Sequence, residues 1–103
     1  MNDLSQENGC ARSVANIATP NASRYLQQLC KHFAHKLPVT VDPSKGHIAF
    51  SIGDCQLKAR EGFLAISLTV PDASGIATLQ EVVANHLTRF AFREHLRIDW
   101  YQV

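Results

Sequence analysis

Two basic flanks carry the side chains of this chain best suited to chemistry. One holds Tyr25, His32 and Lys36; the other holds His86, Arg89 and Arg93. Guanidinium donors fork to match a carboxylate or a phosphate, and an ammonium or imidazole adds charge beside them. Tyr25 offers either a wall or a hydroxyl. If both flanks lie on helices and face each other, they form a basic cleft able to hold a small anion. The ordinary alternative is that Arg89 and Arg93 pair with Glu81, Glu94 or Asp99, and that His86 packs with a satisfied hydrogen bond. Spacing alone does not decide which flanks meet. His86 borders an apolar stripe, where a lowered proton affinity is expected. No acid or base stands at a telling spacing from it, so no catalytic residue is assigned.

Cys30, His32 and His35 invite a metal reading, because thiolate and imidazole bind zinc, copper or iron. On a helix Cys30 and His32 are about 200° apart and face different directions. His32 and His35 are three residues apart and are weak candidates for sharing an ion. Cys30 reads as a small core residue. No metal or cofactor is expected. Gly46, Gly53 and Gly62 stand singly in turns, so there is no glycine-rich phosphate loop. Lys58, Arg60 and Phe63 share a strand face that reads as solvated, and no nucleic acid is expected as a partner.

The elements that must position these residues follow from periodicity. Ala11 to Ala18, with Val14 and Ile17, reads as a weak strand at an edge. Thr19-Pro20-Asn21 opens a first helix, with Thr19 as cap and Pro20 at the first position. It runs to about Leu37, stopped by Pro38. Ala22, Leu26, Leu29, Cys30, Phe33 and Leu37 share its core face. Four strand signals follow: Val39–Val41, His47–Ile52, Cys55–Arg60 and Phe63–Val70, separated by turns at 42–46, Gly53-Asp54 and Glu61-Gly62. Their expected inward residues include Ile48, Phe50 and Ile52, then Cys55, Leu57 and Ala59, then Leu64, Ile66, Leu68 and Val70. Pro71-Asp72-Ala73-Ser74 opens a second helix, capped by Asp72 or Ser74 and ending at about Glu94. Ile76, Leu79, Val83, Leu87 and Phe90 form its core stripe. Leu96 to Tyr101 reads as a last strand.

The order is β-α-β-β-β-β-α-β. One-faced strands need a cover, and two amphipathic helices supply it. The fold class expected is α+β: one antiparallel sheet with both helices packed on one face. Residues 1–10 are polar and are expected as a disordered tail, leaving residues 11–103 as a single domain. The chain of 103 residues can bury roughly two-thirds of its unfolded surface, so it needs neither metal nor disulfide to fold. Ten Lys and Arg against nine Asp and Glu give a net charge of +1, so bulk charge draws it neither to nucleic acid nor to a membrane. The three cysteines form no C-x-x-C pair, and no apolar run resembles a signal peptide or a membrane span; a cytoplasmic protein with reduced thiols is expected. The open sheet face, small and uncharged at its middle, suits either a monomer or a homodimer.

Arg24-Tyr25-Leu26, then Leu29-Cys30-Lys31-His32-Phe33-Ala34-His35-Lys36, then Leu87-Thr88-Arg89-Phe90-Ala91-Phe92-Arg93-Glu94 and Asp99-Trp100, resemble the bacterial DUF2218 family. The resemblance spans nearly everything after the tail. It implies a small bacterial protein of uncharacterised function, in a family associated with siderophore-interacting proteins. The function expected is a non-enzymatic binding or accessory module acting on a small anionic ligand or a protein partner, in iron-siderophore metabolism. Two alternatives are a small metal- or thiol-dependent enzyme using His32, His35 and His86, and a structural dimerisation module.

Overall fold

The computed structural model describes residues 10–103. The tail expected at residues 1–10 therefore lies, but for Cys10, outside the described residues. The elements are β1 (Ala11–Ala18), α1 (Ala22–Phe33), β2 (Val39–Val41), β3 (Lys45–Phe50), β4 (Gly53–Arg60), β5 (Phe63–Val70), a 3-10 turn (Ala73–Gly75), α2 (Ile76–Phe90) and β6 (Tyr101–Gln102). The strands make one six-stranded sheet in the order β2-β3-β4-β5-β1-β6, antiparallel at every pairing. The expected α+β fold, with its order of elements and a β2-to-β5 meander, is the one observed.

Alternation sets the inner face. On β5 Leu64, Ile66, Leu68 and Val70 are all buried. The register places Ile17 opposite Leu64 and Ala15 opposite Ile66 on β1, and Leu57 opposite Ile66 on β4. Both helices pack onto this face, α1 with Ala22, Leu26, Leu29 and Cys30, and α2 with Leu79, Val83 and Leu87. Each such leucine stabilises the fold by roughly 1.5–3 kcal/mol relative to exposure. Ser13, polar and buried, accepts a hydrogen bond from Gln80 Nε2 at 2.9 Å, so α2 satisfies the sheet it covers.

Several boundaries differ from expectation. β1 is an inner strand, because Tyr101 and Gln102 pair with Val14 and Ser13 along its outer side. Leu96 to Trp100 is irregular; Leu96, Ile98 and Trp100 pack against the core without joining the sheet. The β3–β4 turn is Ser51-Ile52, since Phe50 pairs with Gly53, and this leaves Ile52 exposed rather than inward. Gly53 belongs to β4, where a Cβ would come within 2.5 Å of the Thr69 carbonyl oxygen. Asp72 caps the 3-10 turn through the Ser74 N–H, and α2 begins only at Ile76.

The helix ends matter most for the site. Asn21, not Thr19, is the α1 cap residue. α1 stops at Phe33, and Ala34 to Lys36 form a turn in which the Lys36 and Leu37 amides both reach the Phe33 carbonyl. The residue before Pro38 is driven out of the helical region, and the chain tightens ahead of it. α2 stops at Phe90, and the Glu94 amide closes a turn onto the Ala91 carbonyl at 2.9 Å. Arg93 therefore lies in a turn and not on the flank of α2.

Candidate functional site

The turn after α2 is held against the start of α1 by Glu94. Its carboxylate accepts from Thr19 Oγ1 at 2.9 Å, from Asn21 Nδ2 at 2.7 Å and from the Tyr25 hydroxyl. Thr19 is buried and also accepts from the Asn21 N–H, so the whole N-terminal corner of α1 is committed to this one carboxylate. The Tyr25 hydrogen bond, with Asn21 second, holds the Glu94 carboxyl below the usual carboxylate range. The same bond, then burial, raises the Tyr25 phenol above its ordinary value. Tyr25 is 5% exposed and its one donor is engaged, so it contributes a wall and not the free hydroxyl considered from sequence.

Beside this clamp lies a cavity of about 350 Å³. Asn21, Arg24, Tyr25 and Gln28 line it from the α1 side, and Phe90, Phe92, Arg93 and Glu94 from the α2 side. The Arg93 guanidinium sits over the Phe92 ring, 5.4 Å from its centroid.

A second group borders it across Phe90. The His32 ring lies 5.8 Å from Phe90 and 4.8 Å from His86, centroid to centroid. Phe33 packs 4.8 Å from His86 and 4.8 Å from Phe50. His86 Nδ1 donates to the Val82 carbonyl at 2.7 Å, which fixes that proton and leaves Nε2 for another partner. This satisfied hydrogen bond is the one considered from sequence. Desolvation lowers the proton affinity of His32, and the charges of His86, His35 and Arg89 lower it further.

Of the six candidates, the fold therefore brings Tyr25 and Arg93 to the cavity, and sets His32 against His86, with Arg89 close enough to act on His32. Lys36 is exposed in the turn after α1 and makes no ion pair among the described residues. The pairs considered for Arg89 and Arg93 are not made. Among the described residues the ion pairs are His47–Asp54 and Arg97–Asp99. Glu94 takes neutral donors and Asp99 takes Arg97. Arg24, Gln28, Phe90 and Phe92 were not singled out from sequence as site residues. The i, i+4 spacing of Arg24 and Gln28, next to Tyr25, is the signal that points to the first two.

No three His, Cys, Asp or Glu side chains among the described residues stand together as metal ligands. Cys30 and Cys55 are fully buried; desolvation pushes the Cys30 thiol up to about 11 and the Cys55 thiol further in the same direction. Neither presents a thiolate nucleophile. Among the described residues no helix is long and apolar enough to cross a membrane.

Residues 14–101 match the family described as "Uncharacterized protein conserved in bacteria (DUF2218)". The chain belongs to that family. It is also similar to the NMR structure of PA4090 from Pseudomonas aeruginosa, at 40% identity over 88% of this chain and 95% of that one, with a TM-score of 0.74. The DUF2218 fold seen here is thus shared with that structure. No match was found among curated proteins.

Proposed function

We propose that this DUF2218 protein is a non-enzymatic binding module that holds a small anion in the groove between α1 and the turn after α2. The observation that supports this reading is the set of arginines with no carboxylate partner among the described residues. Arg24 and Arg93 line one cavity, and Arg89 stands by the His32–His86 pair. A guanidinium at a groove wall is a ready donor for a carboxylate or phosphate. The family's association with siderophore-interacting proteins supports an accessory role in bacterial iron handling, in the cytoplasm, where hydroxy-acid ligands are multiply charged. An enzyme that depends on the Cys30 or Cys55 thiol is disfavoured, because both are buried and hard to ionise.

Calorimetric titration with citrate tests the reading. Citrate is expected to bind, and Arg93→Gln is expected to weaken it roughly tenfold, the loss of one charge-assisted hydrogen bond. Affinity should fall as salt is added. No heat of binding at low ionic strength would remove the proposal.

A further inference from the structure

The walls of the groove say more than its charge. We infer that the ligand class this groove selects is an aromatic carboxylate, a flat ring bearing an acid group; this rests on the anion-binding reading above. Phe92 is 76% exposed, the most exposed large apolar side chain among the described residues. A lone exposed phenylalanine is unremarkable on a protein surface. This one, however, lines a cavity together with the Phe90 ring and two arginines. Arg93 covers one face of the Phe92 ring, and the exposure of the residue leaves ring surface uncovered. An aromatic ligand stacked there places apolar surface against Phe92 and Phe90 while its carboxylate reaches Arg24 or Arg93.

Charge agrees with this assignment. Two guanidinium groups and one carboxylate, Glu94, line the cavity, which leaves it a net positive charge. Glu94 already accepts from Thr19, Asn21 and Tyr25, so its oxygens are turned to protein donors. The volume, about 350 Å³, stands at the small end of small-molecule sites and suits a one- or two-ring acid. Aliphatic acids lack the ring–ring contact, and larger polymers exceed the cavity.

The experiment compares 2-naphthoate, cyclohexanecarboxylate and citrate on the full chain, by calorimetry or amide shifts, with Phe92→Ala and Phe92→Leu alongside. Naphthoate should bind about fivefold more tightly than cyclohexanecarboxylate, the scale of one aromatic contact. Both Phe92 variants should lose that preference, and because the Phe92 ring also supports Arg93, their affinity for citrate should fall too, but by less than their affinity for naphthoate. Phe92→Leu retains apolar bulk, so it separates stacking from greasiness, and thermal unfolding of both variants should match the parent. Equal affinity for the two monocarboxylates, unchanged by either variant, would overturn the aromatic assignment and leave the anion site standing. If no acid binds, citrate included, both readings fall.

Discussion

His32 shows most clearly how a single side chain reports on its surroundings. Desolvation comes first in lowering its proton affinity, followed by repulsion from His86, His35 and Arg89. A base whose folded pKa lies below its unfolded one binds protons more readily when unfolded. The stability it contributes is therefore complete above the unfolded value, about 6.5, and is lost as pH falls through the folded value. Glu94, with a depressed folded pKa, acts in a separate and more acidic window. Its contribution is present above the ordinary Glu value, about 4.3, and is lost as pH falls below it towards the folded value. The thermal midpoint measured against pH should therefore fall in two steps on acidification. His32→Gln should remove the first step and keep the second; Glu94→Gln should keep the first and shrink the second, to which Asp42 and Asp72, held below the usual carboxylate range by hydrogen bonds, also contribute. A profile unchanged by His32→Gln would show that the ring does not feel those neighbours.

Elements were legible wherever local pattern and burial agree. Leu64, Ile66, Leu68 and Val70 read as one strand face, and all four are buried, because period-two alternation and the sheet require the same thing. Helix ends were not legible, because distant contacts decide them. Thr19 and Glu94 are 75 positions apart, yet their hydrogen bond helps end α2 and places Arg93 at the cavity. Nothing within the segment from Leu87 to Glu94 announces that. The close fit of α1 on β3 was likewise invisible: a Cβ on Gly46 would meet Cys30 Sγ at 2.6 Å and Leu26 Cδ2 at 3.2 Å. Gly46→Ala should cost roughly 1–3 kcal/mol by overpacking. Adding Cys30→Ala removes the nearer atom and should recover part of that loss. Urea unfolding of the two single variants and the double variant measures the coupling, which should exceed ~0.5 kcal/mol in the relieving direction. Additive losses would mean that the helix simply slides away from the new methyl.

At the scale of the whole molecule, the antiparallel sheet is a platform whose helical cover leaves two basic groups side by side. The sheet's inner face fixes α1 and α2, the Glu94 clamp fixes the turn after α2, and Phe90 joins the arginine-lined cavity to the histidine pair. The part of the site that sequence could reach was its residue types; its shape depends on a clamp that no local pattern encodes. The claim that most of this depends on is that small anions enter between α1 and that turn. Heteronuclear NMR of the labelled protein during a citrate titration tests it most directly. Saturable shifts are expected at the amides of His32, His86, Phe92 and Arg93, with those of Lys58 and Ser67, whose side chains stand on the open sheet face, unmoved. Shifts confined to the open sheet face, or none at any of the first four amides, would contradict it.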